Sequence, residues 1–497
     1  MKRLKNMLTA GAAVLSFGIL CAQEPATVYT LSLQDVIHIA QTQSIDAMVA
    51  KNVFLSSYWQ YRSFKADRLP SLNLSGEVAD FDRSLRLLQN STTGDMNYVE
   101  NYSLQNSLRL FVQQKVSLTG GTLSLYSSLS RLDQFGANKS QTYYSQPVSI
   151  SYIQPLFAYN SFKWDKKIEP HKFDRAKRIY IESMEEVTIK AVTRFFNFVL
   201  QKNNYDIAVQ NYKNTKTMYA IASERLKVGS VKKDELLQLE LRMLNDSLAI
   251  NQCDMNLKSQ QMLLNSFLGY NESVSIVPVI EDDLPDLVLD YRFVLDKALA
   301  NSSFMTDNLI TQLEAEASIA QAKANLGATA SITSRFGLSS NGNNFKTAYR
   351  DLLDQEVVGL SFSIPILDWG MGRGRVKVAE AQAETVKNRL AQAEIDYKHD
   401  IYVSVVQFNN QRNQCTVSRK ANEIAEQRYR MTMENFAGGT ISVTELNTAQ
   451  TEKDQANSTY IQELYNYWLY YYGIRKSSLY DYRTGTDISA EFDKLAN

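Results

Sequence analysis

The chain has 497 residues, with 53 Lys plus Arg balanced by 53 Asp plus Glu, three histidines and three cysteines. A net charge of zero leaves no electrostatic footprint for nucleic acid. His38, His171 and His399 form no metal pair, and none sits in a recognisable nucleophile motif, so no catalytic, cofactor or metal site is expected.

Lys2, Arg3 and Lys5 precede an apolar run from Met7 to Leu20 that ends in Cys21-Ala22-Gln23. A basic head, a short apolar stretch and a small residue before polar sequence read as a signal peptide over residues 1–22, cleaved after Ala22. Lipidation at Cys21 ranks second, because bulky Leu20 stands where a lipoprotein signal wants a small residue. No later stretch is long and apolar enough for a spanning helix, which needs roughly 20 residues. The remaining routes are a soluble exported protein or a β-barrel, since only helices and closed barrels satisfy their backbone in lipid.

Ser32 to Lys65 reads as a helix that Leu69-Pro70 ends. Ser71 to Phe81, Thr122 to Leu132 and Pro147 to Phe157 alternate apolar and polar residues, as strands with one apolar face do. Tyr159 to Lys227 is strongly helical, Gly229 breaks it, and Lys232 to Phe267 resumes. The second half repeats the plan, with a helix over Tyr291 to Asn325, strands near 328–338 and 355–367, a helix over Gly374 to Asn435, a break at Gly438-Gly439, and a last helix from Val443 to about Tyr472.

The two halves are a duplication. Ile153-Gln154-Pro155-Leu156-Phe157 pairs with Ser363-Ile364-Pro365-Ile366-Leu367, and Gly229-Ser230 with Gly439-Thr440, both at an offset of 210. Upstream the offset is 258 or 257, so the first half carries about 47 extra residues between Pro70 and Pro155, all within the strand region. The domain boundaries follow: a first repeat over 23–270, a second over 271–480 and a tail over 481–497.

At 1.5 Å per residue, a helix over 159–227 would be roughly 100 Å long. The helices over 32–65 and 232–267 together nearly equal it, as in a column of one long helix beside two stacked shorter ones. Ala379, Ala383, Val386, Leu390, Ala393 and Tyr397 keep heptad spacing, as do Leu237, Leu241, Leu244 and Leu248. Four to six strands are too few for a membrane barrel, whose smallest form needs 8. Either the sheet is a soluble elaboration or several chains pool their strands. Aromatics at the strand-to-helix junctions, with Phe157, Tyr159 and Trp369 as the membrane-interface candidates, favour pooling.

This pattern resembles the TolC family of outer-membrane efflux proteins. The opening Leu31-Ser32-Leu33-Gln34-Asp35-Val36-Ile37, the strand ends Gln154-Pro155-Leu156-Phe157 and Ile364-Pro365-Ile366-Leu367-Asp368-Trp369-Gly370, and the turns Val228-Gly229-Ser230 and Gly438-Gly439-Thr440 carry the resemblance. It implies a mainly α fold, a helical barrel continued by a transmembrane β-barrel that a homotrimer builds from 12 strands. It also implies a passive exit duct in the outer membrane, extending into the periplasm. Its partners would be a periplasmic adaptor and an inner-membrane transporter of the RND or ABC type, with outer-membrane lipid around it and no cofactor. The two glycine turns would then be the adaptor-docking tip.

In well-studied members of the family two aspartates on the second-repeat helix after the turn close that tip. Glu445 falls at the first of those positions and Thr448 at the second, which leaves one acidic ring instead of two. Three Glu445 carboxylates in a ring would favour cations. The competing reading is an acid suited to the first turn of its helix, and Glu235, its equivalent in the first repeat, fits that reading equally. Residues 105–132, turning at Thr119-Gly120-Gly121, either form a hairpin outside the membrane or add spanning strands; the resemblance favours the former.

Other signals are weaker. Gly370-Met371-Gly372-Arg373-Gly374 lacks the spacing and βαβ context of a phosphate loop. The aromatic run Tyr465 to Tyr472 fits a helix end beneath the barrel, near the membrane surface. Cys253 and Cys415 read as incidental thiols. A structural coiled-coil or adhesion protein of the envelope remains the alternative function.

Overall fold

The computed structural model describes residues 28–89, 94, 96–136, 139–227, 229, 231–280, 284–488, 490 and 492–495. The signal-peptide reading over 1–22, Cys21 included, lies outside them, as do Val228 and Ser230.

Strand β1 (Val28–Ser32) leads into helices α1 (Leu33–Gln43) and α2 (Ile45–Ala66). Strands β2 (Ser71–Gln89), β3 (Met96–Val116), β4 (Gly121–Gln134) and β5 (Ser140–Leu156) follow. Helices α3 (Ser161–Lys227) and α4 (Lys233–Leu268) complete the first half. The second half holds β6 (Ser275–Val279), α5 (Tyr291–Asn301), α6 (Ser303–Ala324), β7 (Thr329–Gly342) and β8 (Leu353–Ser363). It ends in α7 (Met371–Gly438) and α8 (Val443–Ser478). Among the described residues no helix is long and apolar enough to cross a membrane.

The duplication is visible element by element. Helices α4 and α8 have 36 residues each and begin 210 residues apart. Helices α1 and α5 have 11 residues each, and α2 and α6 have 22 each, all starting 258 apart. Strands β2 and β7 also start 258 apart, but β7 pairs directly with β8 while β3 and β4 intervene between β2 and β5. The insertion therefore does not stand apart as an extra hairpin: all six strands form one sheet in the order β2-β3-β4-β5-β7-β8.

The single helices expected over 32–65 and 291–325 are each broken by one serine. Ser44 and Ser302 are extended, at φ −67° and −70°, and both are buried. No Pro or Gly signals the second break; side chains from α3 hold it. Arg178 donates to the carbonyls of Ala300 and Ser302, at 2.5 and 3.0 Å, and Glu182 accepts from the Ser303 backbone N–H at 2.7 Å. These bonds satisfy the backbone groups that a helix break releases.

The chain divides into two compact units, each drawing on both halves. The first comprises residues 1–45, 187–284 and 412–469. In it β1 pairs in parallel with β6, and Tyr29 stacks on Tyr270 with centroids 5.6 Å apart. Phe195, Phe198, Leu264 and Leu464 lie in its core. The second comprises residues 46–186, 285–411 and 470–497 and contains the six-stranded sheet. There Phe54 is enclosed by Phe173, Tyr180 and Phe492.

Two further expectations change. Tyr467 and Trp468 are buried in the first unit, and Tyr471 and Tyr472 in the second, so these rings of the aromatic run are core and face no membrane surface. The Ala379 seam is buried or half-buried, as heptad packing requires, whereas Leu237, Leu241, Leu244 and Leu248 are 52–68% exposed. Within the chain, α4 packs through Leu239 instead.

Candidate functional site

The two glycine turns expected to form the tip lie where α3 meets α4 and α7 meets α8, all within the first unit. Gly229 and Gly439 take left-handed conformations, φ 75° and 84°, which favour glycine. Their N–H groups close the helix ends on Leu226 and Phe436, each at 3.0 Å, and Thr440 N–H reaches the Asn435 carbonyl at 3.1 Å. The turns meet: Arg225 donates to the Phe436 carbonyl at 3.1 Å, and its guanidinium fills the space a side chain on Gly439 would need. Gly438 is the last residue of α7. Beneath the turns Met218, Leu239, Phe436, Val443 and Leu446 form one buried cluster from all four helices.

Glu445 is exposed and engaged in a reciprocal cap. Ser442 Oγ accepts from the Glu445 backbone N–H at 3.3 Å, and Glu445 Oε2 accepts from the Ser442 N–H at 3.4 Å. That is capping-box geometry. Thr448 is also exposed, its hydroxyl donating to the Thr444 carbonyl at 3.0 Å. Glu235 is half-buried in the first turn of α4.

A polar network between the tip helices was not legible in the sequence. Thr215 Oγ1 donates to Asp246 Oδ2 at 2.6 Å, and Arg242 Nε meets Asp246 Oδ1 at 3.1 Å. Asn214 donates to the Tyr429 hydroxyl at 2.9 Å, and Asn211 to Asp454 Oδ2 at 2.6 Å. Burial pushes the Tyr429 phenol up, keeping it a neutral partner. Only the Arg242 and Asp246 spacing of four residues left a trace in the sequence.

In the sheet, successive residues alternate between two faces. Opposed residues of an antiparallel pair share a face, so Leu74 and Leu110 lie together, as do Leu125 and Ile150, and Ile332 and Leu360. The other face carries Asn73, Arg109, Ser124, Ser151 and Arg335. At the strand-to-helix junctions Phe157 and Trp369 are 75% and 90% exposed and Tyr159 is half-buried. The neighbouring glycine loop is no anion site: Asp368 already accepts from the Gly370 and Gly372 N–H groups at 2.9 and 2.8 Å. Cys415 is buried against the Glu463 carbonyl.

Solved structures with this architecture include outer-membrane channels. The Campylobacter jejuni channel CmeC superposes with a TM-score of 0.65 at 15% identity, covering 93% of this chain and 88% of that one. The Vibrio cholerae outer membrane protein VceC gives 0.61 at 11% identity, covering 90% and 95%. The open Neisseria gonorrhoeae channel MtrE gives 0.58 at 12%, covering 92% and 89%. These define a TolC-like channel fold. No curated protein matches in sequence. Residues 294–469 match the model of the outer membrane efflux protein family. The family is one of transport channels and not of enzymes.

Proposed function

We propose that the chain is the exit duct of a tripartite efflux or type I secretion system, passing substrates passively from an inner-membrane pump through the periplasm and outer membrane. Three copies form the duct, each contributing two repeats (23–270 and 271–480). The observation that carries this reading is the uncovered leucine stripe on α4. Leu237, Leu241, Leu244 and Leu248 have heptad spacing and are left 52–68% exposed by the described residues. A helix face of that kind buries itself against another helix. Helices matched in length between the two repeats, 67 and 68 residues for α3 and α7 and 36 each for α4 and α8, let six α-helical hairpins close evenly. The sheet supports a multi-pass barrel in the outer membrane, with Phe157, Tyr159 and Trp369 at the membrane interface.

On this reading the turns at Val228, Gly229 and Ser230 and at Gly438, Gly439 and Thr440 dock a periplasmic adaptor, which joins the duct to an RND or ABC transporter. Glu445, Thr448 and Glu235 line the constriction. Fractionation and gel migration test the assembly: a heat-modifiable trimer in the outer membrane is expected. A soluble elongated monomer would support the structural coiled-coil alternative.

The charge of the constriction is tested separately. Glu445→Gln keeps the capping box, because glutamine serves there as well as glutamate, and removes only the carboxylate charge. Single-channel recordings are expected to show lower cation selectivity at unchanged fold and assembly. Unchanged selectivity would leave Glu445 as a helix cap and nothing more.

A further inference from the structure

We propose that the wall of this duct has 18 strands, six from each of three copies, with the β3–β4 hairpin inside the membrane as part of the wall. This rests on the trimeric duct above and specifies its barrel.

Length and polarity both place the inserted strands in lipid. A tilted transmembrane strand needs roughly 9–11 residues. β3 and β4 have 21 and 14 residues, and the shortest strand of the sheet, β8, has 11. One face is apolar on every strand: Leu74, Leu110, Leu125, Ile150, Phe336 and Leu360, one from each, are 45–71% exposed. The insertion repeats the pattern of the duplicated strands, with Arg109 beside Leu110 and Ser124 beside Leu125 on the opposite face. A hairpin standing in water outside the membrane has no reason to keep a leucine face aligned with its neighbours' apolar faces. Above that band the character changes to ion pairs, Arg83 with Glu100 at 3.0 Å and Arg131 with Asp133 at 2.9 Å.

Connectivity agrees. β2 leaves α2 and β5 enters α3, and the tight turn between β3 and β4, over 117–120, lies on the same side: Gln113 pairs with Ser71 and Thr122 with Ile153. All six strands thus start or finish at the helix-bearing rim. The inserted strands pair with β2 and β5 along most of their length, with one register shift on each side, at Glu77/Asp80 and at Tyr126/Ser128. The repeats join where Gly337 gives β5 room, since a Cβ there would lie 2.6 Å from the Val148 carbonyl.

The edges name the partner. β2 and β8 are the two unpaired edges, and lipid tolerates none. Six alternating strands make β2 and β8 run in opposite directions, so β8 of one copy meets β2 of the next in antiparallel sense. The 11 residues of β8 match the rim-side part of β2, residues 71–81. The occupant of both edges is a second copy of this chain. Barrel diameter grows roughly linearly with strand number, and walls of about 16–18 strands enclose an aqueous channel.

Cysteine chemistry in reconstituted liposomes tests this, in a background with Cys21, Cys253 and Cys415 changed to alanine. With a membrane-impermeant maleimide, Arg109→Cys and Ser124→Cys should label, and Leu110→Cys and Leu125→Cys should stay silent until detergent is added. Asn73→Cys combined with Gly359→Cys or Ser361→Cys should give a disulfide-linked trimer on non-reducing gels. Labelling of all four positions in intact liposomes would put the hairpin outside the membrane and overturn the 18-stranded wall. So would silence at Arg109→Cys and Ser124→Cys. In both cases a heat-modifiable trimer in the outer membrane would leave the duct itself standing, whereas loss of the trimer from that fraction marks failure of the duct.

Discussion

Arg475→Leu is expected to destabilise the protein by about 3–5 kcal/mol, the cost of stranding a buried charge. Glu185 on α3 has 3% of its side chain exposed, and Arg475 near the end of α8 approaches its carboxylate at 3.0 Å. The same guanidinium reaches Asp481 at 3.2 Å, and Tyr471 donates to Asp481 at 2.7 Å. Burial pushes the Glu185 carboxyl up, and Arg475 only partly offsets it. Burial also works to raise Asp481, but the Tyr471 hydroxyl, the Arg483 N–H and Arg475 hold it below the usual carboxylate range.

The sign of the pH dependence follows. An acid raised in the folded state favours folding below its unfolded value, and that contribution fades as pH rises through the folded value. Without Arg475 the penalty on ionised Glu185 grows, so the variant's deficit should be small near pH 4.5 and large at pH 7.5. Thermal unfolding of both proteins at the two pH values measures it. Adding Glu185→Leu should recover most of the loss at neutral pH. A deficit below about 1 kcal/mol at pH 7.5 would mean that the pair behaves as an exposed one.

Phe436→Ala should cost about 3–5 kcal/mol, as truncation of a buried aromatic does. Its ring is 2% exposed and belongs to the cluster that α3, α4, α7 and α8 share at the tip. Its carbonyl also receives Arg225, so the turn loses packing on one side while keeping its hydrogen bond. The loss should be local: hydrogen exchange is expected to speed up over residues 218–246 and 429–449, with the six-stranded sheet unchanged. If the tip is the constriction, the same variant should leak in single-channel recordings. Uniformly faster exchange throughout the chain would instead make Phe436 a residue of general stability.

Patterns carried by adjacent residues were readable directly. The 210-residue offset drawn from Gly229 and Gly439 returns in α4 and α8, equal at 36 residues. The alternation of Leu72 with Leu74 and Val148 with Ile150 marked real strands, because strand and helix periods are written into neighbouring positions. Glycine at a left-handed turn is a local necessity too, so both tip turns could be placed.

What only the tertiary structure decided depends on partners far along the chain. Ser302 ends a helix because Arg178 and Glu182, more than 100 residues away, satisfy its freed backbone groups. Tyr467 and Tyr471 are core because other helices cover them, and rings of the same composition at a surface would spell the same sequence. Leu237 to Leu248 and Ala379 to Tyr397 share one spacing, yet only the second stripe is covered within the chain. Two extra strands join the sheet by pairing with β2 and β5, a relation between segments that no single segment encodes. A sequence by itself determines which face of an element is apolar; only the assembled fold determines what that face meets.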